Sequence, residues 1–595
     1  MRWTSSRSAP LRASRIAIPV AALAVSGILA AGCGGGAGAP CATDGDCAPG
    51  LVCAGAVCLP IEFPDAPPRD DADPDAADGA EDPGADAAET DGDEADAEDA
   101  PDETPETVIV SIAPGETAEV EDPLAPFGVE GANGEEYALI VWENGLSILA
   151  RPWEVAIEVE NGLKRAPSRA PRSFAPSFYA PHCVVPGHLD PFAVPLPPIG
   201  PRVLADPVPG DTATFRVIDS AGTGVDDVTA RLMSIGSVMD LWYDETNGVT
   251  DPGEAYRTAL IDWFERVTLP RERWLFAHES DVNGDGRITV LVSPTVGAMG
   301  ASGYVSPTDL TTSSMGNHRE MIYLNPPPDW YGAAWRILYA SGVLAHELQH
   351  LLRAGSLGAD PPEAIYFNEG MSHLAADLAG FGFDNLGMLD SFLGDYSPYS
   401  IPGGIDSGRS SASSDYRIDL SLRSGSYLLL RYLLDRLGGI GVEPDGTLRD
   451  DGALSFLRAQ YLGDAFGAAY LEGATGAPRS EFVPDWLTAL LLDGRTDAGG
   501  SPLSDSPRYR FAEPSADPLT GAQRGVALNA NNPYLDIGWV RLPNASTTDL
   551  RDYDGSIPSG AFELLEVRPV AAGPVEVRIT APDGAALGAR WVRLR

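Results

Sequence analysis

Two histidines and two glutamates near the middle of the chain have the residue types and spacing for metal-assisted chemistry. His346 and His350 stand four residues apart in an apolar stretch. Helical periodicity puts both on one face, where their imidazoles can bind one ion. Glu347, between them, is a candidate general base. Glu369 follows after a further 19 residues, far enough for a loop and a returning helix to bring it back as a third ligand. Three protein ligands leave a fourth position open, so the pattern predicts a catalytic metal site.

Two apolar helices must position these residues. The first is predicted over residues 338–352, with His346, Glu347 and His350 as its polar interruptions. Burying three ionisable groups on one helix is costly unless they bind something. The second is predicted over residues 364–378 and carries Glu369. The alternative for Glu369 is a glutamate that caps a helix end or faces solvent.

The sequence around these helices resembles a known peptidase family. His346 to His350 reads His-Glu-x-x-His, and residues 368–373 read Asn-Glu-Gly-x-Ser-His. Together they resemble the hyicolysin family of gluzincin zinc metallopeptidases, which share the wider plan of thermolysin. The similarity continues through the sequence segments 274–307, 321–326 and 425–433.

The resemblance implies a fold and an activity. The expected fold is α+β, with a thermolysin-like zincin catalytic domain at residues 205–500 and small all-β units before and after it. The implied cofactor is zinc, bound by His346, His350 and Glu369. Glu347 would act as general base in the hydrolysis of peptide bonds of a protein or peptide substrate.

The residue that orients a zinc histidine departs from the thermolysin plan, and the donor to the oxyanion stays open. His373 stands where that plan has an aspartate that orients a zinc histidine, and Asp377 is the candidate substitute. A gluzincin also needs a donor for the oxyanion, usually a Tyr or His. Tyr427 is the candidate, with Tyr416 second, and either could equally be a core tyrosine.

A second metal, calcium, is suggested by a shorter motif. Asp281, Asn283, Asp285 and Gly286 match positions 1, 3, 5 and 6 of an EF-hand loop. Position 12 is Val292, where a bidentate glutamate is expected, and the residues before it are typical of a strand. The sequence therefore leaves two interpretations, a partial calcium loop and an Asx-rich turn before a strand.

The N-terminus is predicted to export and anchor the chain. Residues 1–33 combine four arginines with an apolar run too short to span a bilayer comfortably. The run ends in Leu-Ala-Ala-Gly before Cys33, which resembles the bacterial lipobox and predicts a lipid anchor at Cys33. Residue 34 is glycine and not aspartate, which favours the outer membrane or cell surface, with or without later release. Ordinary secretion with an incidental Cys33 is the alternative.

The remaining chain is predicted to form several units. Residues 34–60 contain four cysteines, which predicts two disulfides with three possible pairings; a zinc knuckle is the rival interpretation. Residues 61–107 are predicted to be a disordered acidic linker. Residues 108–204 are predicted to form a small β unit and a Pro-rich connector, and residues 501–595 a C-terminal β-sandwich.

Charge excludes one class of partner. The formal net charge is −46, of which residues 65–106 supply −18 through 19 acidic residues against Arg69 alone. The rest of the chain is therefore acidic as well. Nucleic acid is excluded as an expected partner, because phosphate binding needs clustered Lys and Arg.

Other candidate residues have simpler alternatives. Cys183 loosely resembles a latency cysteine of metallopeptidase propeptides, and a free thiol is the simpler interpretation. His182 and His188 flank it and could form an accessory metal site. His278 and His318 are predicted to be structural histidines.

Two further hypotheses compete with the peptidase. A catalytically silent adhesin or binding lipoprotein could keep the same fold, and the zinc site could be purely structural. The open fourth position argues against the second of these.

Overall fold

The structure is a computed structural model, and it describes only part of the chain. The described residues are 51–54, 57–60, 107–143 without 133, 153–160, 207–328 without 220–223, 333–357, 365–393 without 383–384, 386–387 and 390–391, 416–528 without 463–466 and 527, and 552–595 without 558–561, 568, 570–571 and 582–584. The predicted signal segment with Cys33, the acidic linker, Cys183, His182 and His188 lie outside them. Within them the fold is α+β, as expected.

The chain divides into two compact units, Met1–Pro64 and Asp65–Arg595. In the first, strands β1 (Leu51–Ala54) and β2 (Val57–Pro60) form an antiparallel hairpin in which Cys53 lies opposite Cys58. The pairing of the four cysteines lies outside what the structure describes.

The second unit begins with five strands and continues into a six-stranded sheet. The first five are β3 (Val108–Val110), β4 (Thr117–Val120), β5 (Phe127–Gly131), β6 (Tyr137–Glu143) and β7 (Trp153–Glu160). The six that follow are β8 (Thr212–Ile218), β9 (Val225–Ile235), β10 (Met239–Asp244), β11 (Ile288–Val292), β12 (Gly303–Tyr304) and β13 (Met321–Leu324). Their order is β12-β13-β11-β10-β9-β8. The central strands β10, β11 and β13 are parallel and completely buried, which explains their continuous apolar sequences.

Helices and short hairpins make up most of the described structure between residues 254 and 524 outside this sheet. The helices are α1 (Glu254–Trp263), which continues through a π-helical turn (Phe264–Thr268) into α2 (Leu269–Leu275), then α3 (Pro294–Ala298), α4 (Ala333–Leu357), α5 (Ile365–Leu378), α6 (Tyr416–Arg436), α7 (Leu454–Leu462), α8 (Gly467–Thr475) and α9 (Arg479–Leu492). The 3₁₀ turns are Pro307–Leu310 and Pro507–Tyr509. The hairpins are β14 (Ile440–Val442) with β15 (Leu448–Asp450), and β16 (Ser515–Ala516) with β17 (Gln523–Arg524).

The last strands do not form a unit of their own. They are β18 (Asp552–Ile557), β19 (Phe562–Val567), β20 (Gly573–Thr580) and β21 (Leu587–Arg593). They interleave with the first strands in two sheets, ordered β18-β7-β20-β5-β3 and β19-β6-β21-β4. The two sheets share one core, so strands from residues 108–160 and from residues 552–593 build it together. The side-chain pattern of a strand does not specify which other strand it pairs with. The pairing of strands far apart in the sequence could therefore not be predicted.

Strand β6 contributes to two cores. Tyr137, Leu139 and Val141 pack into the core between the two sheets. Ala138, Ile140 and Trp142, on the opposite face, pack into the core that includes helices α4, α5 and α6. A strand buried on both faces needs apolar residues throughout, and the sequence of β6 has them.

The boundary predicted at residue 501 is also blurred by packing. Arg271 of α2 donates to Asp517 Oδ2 at 2.8 Å, and Gly525 N donates to Asp377 of α5 at 2.9 Å. Residues after 501 thus contact helices α2 and α5 directly. Among the described residues, no helix is long and apolar enough to cross a membrane.

Candidate metal centre

Helix α4 carries the two motif histidines and confirms the predicted helix, extending beyond it at both ends. His346 and His350 are both buried, and their Nε2 atoms lie 3.2 Å apart. Burial lowers the pKa of His346 to about 4, because the charged imidazolium would lose its hydration. His346 is therefore held in the neutral form that a metal ligand requires.

Helix α5 returns Glu369 to these imidazoles, as the spacing predicted. Glu369 Oε2 lies 3.2 Å from His346 Nε2, and Oε1 lies 3.6 Å from His350 Nε2. In a tetrahedral zinc site with bonds of about 2.0–2.1 Å, donor atoms lie about 3.3–3.4 Å apart. Each of the three distances is close to the separation of two corners of such a site, with His346 and His350 approaching different oxygens of Glu369.

Glu347 lies beside this group with neither oxygen hydrogen-bonded among the residues that the structure describes. It is completely buried. Burial raises the pKa of Glu347 well above its ordinary value, and the nearby charge of Glu369 adds to the increase. A buried carboxyl without partners destabilises a fold, so its presence needs an explanation outside folding. A bound cation would supply one, because it would favour the ionised carboxylate.

Strand β12 approaches Glu347 closely, and glycine makes this possible. A Cβ at Gly303 would lie 2.6 Å from Val343 Cγ1 and 3.0 Å from Glu347 Cγ. Any larger residue at this position would push the strand away from α4. The edge strand of the six-stranded sheet therefore runs directly past the candidate general base.

Arg423 of α6 forms an ion pair with Glu369 Oε2, and the sequence analysis missed it. Burial alone would raise the pKa of Glu369, but the charge of Arg423 and the two imidazoles bring it well below its ordinary value. Glu369 is thus ionised and available as a ligand. A sequence signal did exist: Arg423, Tyr427 and Arg431 recur every four residues, which places them along one face of α6.

Further contacts orient the imidazole of His350. Ser372 Oγ lies 3.2 Å from His350 Nδ1, and it also donates to Gln349 Oε1. Gln349 in turn donates from Nε2 to Tyr461 at 2.9 Å. Gln349 occupies one of the two variable positions of His-Glu-x-x-His, and through Ser372 it helps to fix the ring of His350.

His373 joins the same cluster. Its ring centre lies 4.4 Å from that of His346. Donor atoms of His346, Glu369 and His373 all lie within 4.8 Å of one another, so these buried residues form a group that could hold a metal ion. Asn385 fixes the ring: its Nδ2 donates to the carbonyl of His373 at 2.6 Å, which turns Oδ1 toward His373 Nδ1 at 2.9 Å. Nδ1 is therefore the protonated nitrogen of His373, and Nε2 is left as an acceptor or ligand.

The structure does not bring Tyr427 or Asp377 to the imidazoles through any hydrogen bond that it describes. Tyr427 donates its hydroxyl to Asp377 Oδ2 at 3.1 Å, and Arg431 donates to the same oxygen at 2.8 Å. Asp377 lies two turns beyond Glu369 on α5, about 12 Å along the helix axis. The side chain of Tyr416 lies outside the described residues.

The candidate calcium loop ends in a strand, β11, as the sequence indicated. Its side chains make Asx-type contacts: Asn283 Oδ1 accepts from Asp285 N at 3.2 Å, and Asp281 Oδ1 accepts from Gly286 N at 3.0 Å. His278 and His318 stay predicted structural histidines; His318 has a positive φ of 55°.

No protein-family model matches the chain, and no curated protein matches it. The function must therefore be argued from the site.

Proposed function

We propose that this chain is a zinc-dependent endopeptidase of the gluzincin type, with a thermolysin-like catalytic domain resembling the hyicolysin family. The observation that carries the proposal is the combination of three convergent ligands with a buried, unpartnered Glu347 beside them. Ligands alone would suit a structural metal. A free carboxyl at the open side of the group suits hydrolysis.

The donor set favours zinc. Two neutral imidazoles and one carboxylate are common zinc ligands, and three protein ligands are typical of catalytic zinc. Bound zinc would polarise the scissile carbonyl and lower the pKa of a water molecule. In this scheme Glu347 accepts a proton from the attacking water and returns it to the leaving amine.

A peptide substrate is favoured by the position of β12. This strand pairs with β13 on one side and is the last strand of its sheet. An edge strand offers backbone groups to an extended peptide. A peptide added there would lie beside Glu347, because Gly303 packs against that side chain.

The scheme also needs a donor for the oxyanion, and Tyr427 and Arg423 are the two candidates. For Tyr427 to serve, its hydroxyl would have to leave Asp377. Arg423 already contacts Glu369 and is nearer to the reacting groups. We therefore propose Arg423 for this role ahead of Tyr427.

The site of action follows from the N-terminal sequence. We propose an exported lipoprotein anchored through Cys33 at the outer membrane or cell surface. The acidic linker would hold the enzyme away from the membrane, and protein or peptide substrates would be met there.

The central experiment compares the purified full-length wild type with Glu347→Gln in metal analysis and casein cleavage, with and without a chelator. We expect about one zinc per chain in both proteins. Cleavage should fall by about 10²–10⁴-fold in the variant, the usual contribution of a general base. Zinc without cleavage in the wild type would instead favour the binding lipoprotein, and no zinc in either protein would remove the metal site.

Glu272→Gln is the matched control. Glu272 of α2 is also completely buried, and neither of its oxygens has a hydrogen-bond partner within the described residues. The substitution therefore makes the same change in a similar setting without touching the ligand group. Glu272→Gln should keep wild-type cleavage, and a loss equal to that of Glu347→Gln would point to folding and not to chemistry.

A further inference from the structure

The loop at residues 281–287 lacks the acidic twelfth residue of a calcium loop, but the fold places another carboxylate against it. Glu320 precedes β13 and is buried, with 1% of its surface exposed. Its Oε1 accepts from Ser280 Oγ at 2.6 Å and from Val282 N at 3.0 Å. These donors lie directly before the loop and at its second position, so the carboxylate is held against the loop.

The second oxygen of that carboxylate is the unusual feature. Glu320 Oε2 is buried, and it accepts no hydrogen bond from the residues that the structure describes. Leaving a carboxylate oxygen without a donor is costly, unless a cation binds it. Calcium loops use such a carboxylate, commonly bidentate, to complete their coordination.

We propose that Asp281, Asn283, Asp285 and Glu320 form a calcium site, with Glu320 replacing the glutamate that is missing at position 12. The loop backbone is compatible: Gly284 and Gly286 have φ of +74° and +66°, and Gly286 N donates to Asp281. All four side chains offer oxygen ligands, which calcium prefers. The backbone carbonyl of Arg287, at position 7, is a further candidate ligand.

Calcium binding would have to tighten this loop. Asn283 donates from Nδ2 to Asp285 Oδ2 at 2.6 Å, so its amide must turn to present oxygen to the ion. Of the described residues, only the cluster at His346 has three carboxylate or imidazole donors within 4.8 Å of one another. The carboxylates of the loop must therefore move together, and binding should be visible as a gain in stability.

The site would support the helix that carries the zinc ligands. A Cβ at Gly355, in the last turn of α4, would lie 3.1 Å from Ser280 Oγ and 3.2 Å from Ser280 N. The loop thus rests against the C-terminal end of α4. That end carries partial negative charge, which a nearby cation stabilises.

The test measures calcium binding to the full-length chain by calorimetry and by the thermal unfolding midpoint, with zinc kept saturating and magnesium as the competing ion. We expect a Kd of about 10⁻⁴–10⁻³ M, the range of extracellular calcium modules, and a midpoint that rises with calcium. Glu320→Gln and Asp285→Asn should each weaken the affinity at least about tenfold, since each removes a charged ligand. The amide oxygen that Glu320→Gln introduces can still accept from Ser280 and Val282, so this variant should fold.

Glu265→Gln is the matched control. Glu265 also accepts from two backbone N–H groups and a serine, at Val238, Met239 and Ser237, and none of these donors belongs to the loop at residues 281–287. Its substitution should leave calcium affinity unchanged. Two results would overturn the proposal: a wild-type midpoint that does not respond to calcium, or a calcium response that Glu320→Gln and Asp285→Asn retain in full, which would assign binding to other acidic residues. Neither readout depends on peptidase activity, so the proposal stands or falls separately from the zinc site.

Discussion

Helices α5 and α6 carry two buried carboxylate–arginine pairs that look alike in sequence and differ in their surroundings. Glu369 pairs with Arg423, and Asp377 pairs with Arg431. The spacing is eight residues on both helices, so the helices run side by side in the same direction. Gly370 lets them approach: a Cβ there would lie 2.7 Å from Ser426 Cβ.

Both carboxylate oxygens of Asp377 are hydrogen-bonded. One oxygen accepts from Arg431 and Tyr427, and the other accepts from Gly525 N. Arg431 also pairs with Asp435 at 2.8 Å. Neither oxygen of Asp377 is thus left without a donor, and the pair connects α5, α6 and the segment after residue 501.

The Glu369 pair is not fully bonded. Oε2 meets Arg423, whereas Oε1 accepts no hydrogen bond among the described residues and instead faces His350 at 3.6 Å. Glu347 beside it has no partner there either. The two pairs therefore differ in one respect that bears on the proposed metal site: the donors around Asp377 satisfy both of its oxygens, whereas one oxygen of Glu369, beside two imidazoles, has no donor among the described residues.

Glu369→Gln should have the largest effect on function. Loss of the charged ligand should release zinc, which is worth several kcal/mol of transition-state stabilisation, so cleavage should fall by about 10³-fold or more. Zinc content and casein cleavage measure this. Unchanged zinc content with unchanged cleavage would remove Glu369 from the ligand set and erase the contrast with Asp377.

His350→Ala and His373→Ala separate the two ligand sets that share His346 and Glu369. If His350 is the third ligand, His350→Ala should abolish zinc binding at micromolar zinc. His373→Ala should weaken it by only about 10–100-fold, as expected for a residue that orients a ligand. Zinc affinity measured by competition with a chelator decides, and the reverse order of effects would make His373 the ligand.

Asp377→Asn should lower the free energy of unfolding without loss of zinc. The amide still accepts from Gly525 N, but its NH₂ group faces Arg431 and Tyr427, so the buried guanidinium keeps Asp435 and loses the counter-charge of Asp377. Removing one partner of a buried pair costs about 3–5 kcal/mol. Denaturant unfolding measures the change, with Asp262→Asn, at an exposed pair with Arg266, as a control expected to shift stability by less than about 1 kcal/mol. Loss of zinc at unchanged stability would contradict the assignment.

Gly370→Ala tests the contact that both pairs share, with the smallest expected effect. The new methyl would force α5 and α6 apart at Ser426 and should cost about 1–3 kcal/mol. Gly473→Ala is the control with the opposite sign: Gly473 lies in α8, where an added Cβ meets nothing within 4 Å, so alanine should stabilise by about 0.5–1 kcal/mol. Equal effects of both substitutions would show that the close approach is unimportant.

Local patterns were predictable, because they depend on neighbours in sequence. Helical periodicity predicted both helices, with His346 and His350 on α4 and Glu369 on α5. The predicted first and last residues of α5 lie within a residue or two of those observed. The residues before Val292 were typical of a strand, which the structure has as β11. The α+β class follows from these patterns.

Partners from distant segments were not predictable. Arg423 lies 54 residues after Glu369, Asn385 fixes His373, and Glu320 reaches a loop almost 40 residues earlier. The interleaving of β18 to β21 with β3 to β7 spans more than 400 residues. Nothing in the local sequence favours one distant partner over another of similar character.

The sequence by itself indicated His346, His350 and Glu369 as candidate metal ligands and Glu347 as a candidate base, because helical spacing places the two histidines on one face. It did not indicate His373, which the structure groups with His346 and Glu369. Only the tertiary structure decided that Glu369 keeps an oxygen for a ligand while Asp377 does not. That distinction depends on which donors packing brings to each carboxylate, and packing places Arg431, Tyr427 and Gly525 around one and two imidazoles and Arg423 around the other.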